Sequence, residues 1–410
     1  MISETDISAL KLEPKILYLT KVYPYPPALA GDAVYSRGII EALSSVSKLT
    51  VLCCDNGGSR HSDSFGIDWR VIGEPRSGRV QSVFSKLPLI SWRFATREFD
   101  KKLVELLRDS WQAIILDNIG LIHALPRALK YRENCSETKI IYISHEYEYP
   151  TRSAKYDSYG MGFLARLASA LDLSKIKAAE DSLLRCSDIV TVINASDIAA
   201  FKKISPAKKY HVLLPGYNGP ILKQRTIDVN TPRRVLLLGG RRSEQKRKIL
   251  LDWLDISYER FIERKIEMIV AGDMDEVFRS MLAERFPAVR ILGFVDDLKA
   301  LVESARMGVI ADTVGGGFKL RLLSHVFERL PIVGLADAIA GLPTVHGRGY
   351  LGAQDMPDLL KLVCSVIDDT EKLNELQNHA FSDCLSEFSW SNRGASLAHV
   401  IVSNHYDDLL

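Results

Sequence analysis

A chain of 410 residues is too long for one ordinary core and divides into two domains. Its 47% hydrophobic content and formal net charge of +2 describe a soluble globular protein without the basic excess of a general nucleic-acid binder. No apolar run reaches membrane-spanning length, the polar opening MISETDISALKLEPK does not read as a signal peptide, and the six cysteines lack metal-ligand spacing, as in reduced thiols of a cytosolic chain.

Short apolar runs alternate with helical stretches. Strands are expected at 15–20, 49–54, 113–118, 139–145 and 189–193. After the hinge-like LLPGYNGP (213–220), the alternation restarts at 233–240, 266–272, 289–294, 307–312 and 330–335. Runs without period-two alternation suit strands buried on both faces, and alternation with helices implies parallel sheets with right-handed crossovers. The expected class is α/β, with two Rossmann-like doubly wound domains, 1–215 and 216–388.

In such folds ligands bind beyond the carboxyl ends of strands. In the first domain the loop after strand 15–20 brings Gly31 and Asp32 to a helix start. Further along the same domain, 83–108 mixes Phe84, Trp92, Phe94 and Phe99 with Lys86, Arg93, Arg97, Lys101 and Lys102. That pattern fits either a peripheral helix on anionic lipid or an ordinary amphipathic helix of the domain. In the second domain GGRRSEQKRK places Gly240, Arg241, Arg242, Lys246, Arg247 and Lys248 after the first strand. Arg241 and Lys246 sit where an arginine offers a bidentate phosphate contact and a lysine a point charge, whereas Arg247 and Lys248 read as a solvated face.

Further on, DTVGGGFKLRLLSHVFERLPIVG (312–334) leads from Gly315, Gly316 and Gly317 into Phe318, Lys319 and Arg321. A helix over 318–330 puts Leu322, Leu323, Val326, Phe327 and Leu330 on one face, with Lys319, Arg321, Ser324 and His325 elsewhere. Free N–H groups, the helix dipole and the close approach that glycine permits would favour an anion there. The rival reading is a plain strand–helix turn.

In order and spacing the chain resembles bacterial glycosyltransferases of family 4 (glycosyl transferases group 1), which have the GT-B fold. The resemblance runs over nearly the whole length: the loop ending at Gly31, YISHEYE (142–148), Glu180, CSDIVTVINASD (186–197), LLPGYN (213–218), IVAGD (269–273), ILGFVDDLKALVESARMGVIAD (291–312), GGGFKLRLLSHVFERLPIVG (315–334) and FSW (388–390). It implies two domains facing across a cleft and a final helix, 389–410, crossing back to the first domain. It also implies retaining, metal-independent transfer of a sugar from a nucleotide diphosphate donor (a UDP- or GDP-sugar) to a glycan or lipid-linked acceptor, with no cofactor. Polysaccharide or glycoconjugate assembly in the cytoplasm, or peripherally at the inner face of the membrane, would follow.

By the same resemblance Arg241 and Lys246 match the basic pair that neutralises the departing diphosphate, and His145 matches a histidine on the acceptor side. Gly31, Asp32, Gly240, Gly315, Gly316, Gly317, Phe318, Lys319, Arg321 and Ser324 fall at the donor. Ser324 stands where many members carry a ribose-binding glutamate, Gly316 falls near a second glutamate, and Asp32 replaces a common glycine. Two alternatives remain: a non-catalytic GT-B partner subunit, which Ser324 motivates, and a nucleotide-sugar epimerase of the same fold.

Overall fold

The computed structural model describes residues 13–27, 30–58, 65–157, 159, 161–313 and 318–403. The chain forms two compact units, Met1–Gly216 with Ser389–Leu410, and Tyr217–Phe388. Among the described residues no helix is long and apolar enough to cross a membrane.

The first unit is built on a seven-stranded sheet of order β3-β2-β1-β4-β5-β6-β7. Its strands are β1 (Lys15–Val22), β2 (Lys48–Cys54), β3 (Asp68–Ile72), β4 (Ala113–Asp117), β5 (Lys139–Ser144), β6 (Ile189–Val192) and β7 (Tyr210–Val212), all parallel. Side chains of β4 are buried on both faces, which is why its sequence is an unbroken apolar run. The helix Gly31–Ser44 packs against the last described helix, Trp390–Val402. Glycines permit this contact. A Cβ at Gly394 would lie 2.2 Å from the Ala42 carbonyl oxygen, and one at Gly38 or Gly216 would lie 2.3 Å from the Trp390 ring.

The second unit holds a six-stranded parallel sheet of order β10-β9-β8-β11-β12-β13. These strands are β8 (Arg234–Leu238), β9 (Glu267–Ala271), β10 (Val289–Gly293), β11 (Met307–Ile310), β12 (Ile332–Leu335) and β13 (Tyr350–Ala353). All ten expected strands are present. The three that the sequence did not announce, β3, β7 and β13, are each at a sheet edge. Half-covered edge strands need no continuous apolar run, so their sequences carry a weaker signal.

Two expectations are corrected. Residues 83–108 do not form one helix: Val80–Val83, Leu89–Trp92 and Arg97–Leu106 are separate, with Pro88 opening the second and Thr96 capping the third. Trp92, Phe94 and Phe99 are buried in the first unit, leaving Phe84 as the exposed aromatic of that segment. The segment 318–330 is helical only from Arg321 to Phe327. Within it Leu322, Leu323, Val326 and Phe327 are buried as expected, but so is His325. Gly308 on β11 makes room for it, since a Cβ there would lie 2.2 Å from His325 Cδ2. His325 Nδ1 pairs with the Arg321 carbonyl at 2.8 Å, and burial pushes its pKa down to about 4, so the ring is neutral.

Candidate functional site: a buried arginine pair and a histidine–aspartate pair

In the second unit the loops after β8, β9 and β10 are tied edge to edge. Gly272 N–H donates to the Gly293 carbonyl at 2.7 Å, Gly239 N–H to Ala271 at 3.0 Å and Arg241 N–H to Asp273 at 2.6 Å. Gly239 and Gly272 have φ of +125° and +151°, and a Cβ at Gly272 would lie 2.1 Å from the Gly239 carbonyl oxygen. Only glycine meets both conditions, so the chain can turn sharply at the carboxyl edge of the sheet.

That turn aims Arg241 inward. Its side chain is 8% exposed. Nη1 donates to the carbonyls of Gly239 (2.8 Å) and Gly240 (3.2 Å), and its buried Nε has no hydrogen-bond partner. Arg321, the first residue of its helix, approaches the same glycine: a Cβ on Gly239 would lie 3.0 Å from Arg321 Nη1 and 3.1 Å from Arg241 Nη1. Arg321 is ion-paired with Asp312, just beyond β11, and its Nε is also buried without a partner. Burial pulls the pKa of each guanidinium down to about 10, and the charge of Arg241 adds to the effect on Arg321. Both remain protonated at neutral pH. Two desolvated cations side by side, with the Asp312 carboxylate paired to one of them, form a site whose charge and open donors suit an anion.

The neighbouring basic residues differ in role. Arg242 pairs with Asp273, Arg247 with Asp275 and Lys248 with Asp252. Arg247 also donates from Nε to the Arg241 carbonyl at 3.0 Å, bracing the turn. Lys246 is exposed on the first turn of the helix Glu244–Glu263, whose start is capped by Ser243. Lys319 is half-buried ahead of Arg321. Phe318 lies outside the helix, its ring 5.6 Å from that of Phe388 and against Gly341, so it serves packing. Gly315, Gly316 and Gly317 lie outside the described residues. Ser324 neighbours Tyr217, whose hydroxyl donates to the Pro220 carbonyl at 3.2 Å and whose ring stacks on Phe327 at 4.7 Å.

In the first unit the carboxyl ends of β1, β4 and β5 converge on Asp117. This fully buried carboxylate accepts from Thr20 Oγ1 at 2.9 Å and pairs with His145 Nε2 at 2.6 Å. The carboxylate accepts the proton on Nε2, which fixes the orientation of the ring. Tyr35 packs edge-on to the imidazole at 5.0 Å. Gly31 opens its helix, and Asp32 beside it is ion-paired to Lys21. Burial pushes the Asp32 carboxyl upward, but Lys21, the nearby His145 and the Ala33 N–H outweigh it and hold the group well below the usual carboxylate range. At the start of the helix Glu148–Asp157 the buried Glu180 accepts from the N–H groups of Glu148 (2.8 Å) and Tyr149 (3.1 Å), and burial raises its pKa to about 8.

Sequence reasoning missed Asp117, Asp312, Lys21 and Gly239. The first two had a signal: each is an acidic residue at or just past the end of a buried strand, where only a partnered carboxylate is tolerated. Among the described residues no group of three His, Cys, Asp or Glu side chains is placed to hold a metal ion.

Two parallel α/β units with sheets of seven and six strands make up the GT-B fold. No protein-family model matches the chain, and no curated protein matches it. Solved structures of glycosyltransferases match it over most of its length. HepE of Anabaena in complex with UDP-glucose has 14% identity and a TM-score of 0.59, covering 95% of this chain and 99% of that one. Sucrose-phosphate synthase of Thermosynechococcus elongatus has 16% identity and a TM-score of 0.64, covering 95% and 98%. WaaG, a glycosyltransferase involved in lipopolysaccharide biosynthesis, has 15% identity and a TM-score of 0.60, covering 95% and 100%. The likeness is one of fold.

Proposed function

We propose that this protein is a retaining glycosyltransferase of family 4 that moves a sugar from a UDP- or GDP-sugar to a hydroxyl of a glycan or lipid-linked acceptor, in cytoplasmic polysaccharide or glycoconjugate assembly. The observation that carries the proposal is the Arg241–Arg321 pair at the carboxyl edge of the second sheet, with one unpartnered, buried Nε on each guanidinium. A diphosphate is the anion such a pair suits, because its oxygens can take both forks at once. As the glycosidic bond to the donor phosphate breaks, negative charge grows on the departing diphosphate. Fixed, desolvated cations then stabilise the transition state more than the bound donor, without a metal being required. Lys246, on the neighbouring helix turn, supplies a further point charge, and Gly240, Gly315, Gly316, Gly317 and Lys319 complete the donor loops. His145, held by Asp117, is assigned to the acceptor side, with Gly31 and Asp32 on the adjoining loop.

Ser324 favours a second reading, a GT-B partner subunit that binds nucleotide without turning it over, since a hydroxyl stands where a carboxylate would grip the ribose. An epimerase of the same fold would instead interconvert the donor sugar. The test is a thermal-shift series with UDP and GDP on the wild type and on Arg321→Met. The proposal expects stabilisation by one nucleotide, approaching about 2.7 kcal/mol at a hundredfold excess over its dissociation constant, and its loss in the variant. A wild-type protein indifferent to both nucleotides contradicts it.

A further inference from the structure

The first unit carries a set of exposed apolar side chains that the donor chemistry does not use. Helix Phe163–Cys186 begins with five consecutive exposed residues, Phe163 to Leu167. Phe163 is 81% exposed and Leu164 79%, with Leu167 and Leu171 continuing the exposed run along the helix. Beside it stands the short helix Val80–Val83, where Val80 is 74% and the following Phe84 88% exposed. The two elements are stapled together. Lys175 Nζ donates to the carbonyls of Ser82 and Val83, both at 2.9 Å, and Asp172 accepts from Leu89 N–H at 2.7 Å. Six large apolar side chains are thus exposed on two elements fixed to each other.

We propose that this surface docks onto an anionic phospholipid membrane. Charge selects that occupant. From residue 75 to residue 97 the sequence holds Arg76, Arg79, Lys86, Arg93 and Arg97 and no acidic residue, and from 161 to 171 its one charged side chain is Arg166. Basic residues that flank exposed Phe and Leu in sequence match the pattern of an interfacial anchor, in which the apolar tips enter the acyl boundary and the basic groups meet headgroups. Shape agrees: a helix start that stands clear of its own unit fits a penetrable layer better than a preformed groove. Position adds a reason. The helix runs back to β6, so its first turn lies at the carboxyl edge of the first sheet, the edge that carries His145. An acceptor held in the membrane would be presented at that edge. The anchor differs from the helix expected at 83–108, because Trp92, Phe94 and Phe99 are in the core and only Phe84 belongs to it.

The experiment is flotation of the full chain with vesicles of phosphatidylcholine alone or mixed with phosphatidylglycerol. The protein should float with the mixed vesicles, much less with phosphatidylcholine, and should be released by 1 M salt. Phe84→Glu/Leu164→Glu should weaken binding by at least about tenfold, and Arg79→Gln and Lys86→Gln by about fivefold each. None of these changes should alter nucleoside diphosphate binding, so the anchor and the donor site fail separately. The proposal is overturned if the wild type ignores phosphatidylglycerol vesicles, or if the apolar double variant binds them as the wild type does. It is equally overturned if the wild type sediments as a dimer that the double variant dissolves, which would assign the surface to a second copy.

Discussion

Replacing Arg241 by methionine keeps most of the side-chain length and removes the charge. The structure then requires two effects of opposite sign. Burial draws the guanidinium pKa from 12.5 to about 10, so below that pH folding penalises the charged form, by an upper limit of about 3 kcal/mol. The hydrogen bonds to the Gly239 and Gly240 carbonyls offset about 1–2 kcal/mol of that gain when they are lost. The unliganded variant should therefore be more stable than the wild type by no more than about 2 kcal/mol, a rise of at most a few degrees in Tm. Nucleotide binding should move the other way. One charge-assisted contact to a diphosphate contributes about 1.5–3 kcal/mol, so affinity should fall by about 10- to 150-fold. Turnover should fall further, since the leaving group is most charged in the transition state. Scanning fluorimetry with and without nucleoside diphosphate reads both effects in one plate. Lys248→Met is the control, because its exposed ammonium is engaged with Asp252, and its affinity should stay near wild type. A variant that melts earlier yet binds nucleotide normally would make Arg241 a strut of the turn and not a phosphate ligand.

Asp117→Asn removes the carboxylate that fixes the His145 tautomer, and should lower kcat about 10- to 100-fold while nucleoside diphosphate affinity stays unchanged; normal turnover would take His145 out of the chemistry. Ser324→Glu should tighten nucleoside diphosphate binding from a few-fold to about tenfold if the ribose lies beside it, because charged hydrogen bonds exceed neutral ones by about that much; calorimetry showing weaker binding means the ribose is held elsewhere. Glu328 is buried, and burial with Asp297 nearby raises its pKa from 4.5 to about 7. It holds its proton more tightly folded than unfolded, so wild-type stability falls as pH rises through that window. Glu328→Gln should match the wild type at about pH 4.5 and exceed it by no more than about 3 kcal/mol at about pH 7.5, and an equal difference at both pH values rules the titration out.

The interior strands were legible because burial on both faces leaves an unbroken apolar run, as in AIILD of β4. Edge strands such as DWRVI of β3 lack that run and went unseen. Arg241 and Arg321 were visible as basic residues after strands, but their meeting over Gly239 depends on a positive-φ turn and on the β8–β11 neighbour relation, neither of which a linear pattern records. His325 escaped for a similar reason: its place inside is made by the missing side chain of Gly308, a residue 17 positions away. The aromatic and basic stretch 83–108 misled because composition cannot say which aromatics turn inward. Once the chain breaks at Pro88, Trp92 and Phe99 are free to enter the core and Phe84 stays out.

Incubating the purified protein with a panel of UDP- and GDP-sugars, and following nucleoside diphosphate release and donor sugar identity by mass spectrometry, bears most directly on whether this GT-B protein transfers sugar. Slow release of nucleoside diphosphate from one donor, abolished in Arg241→Met and in Arg321→Met, is the expected result. Nucleotide binding with no release from any donor, or conversion of the donor sugar with the diphosphate bond intact, would contradict it.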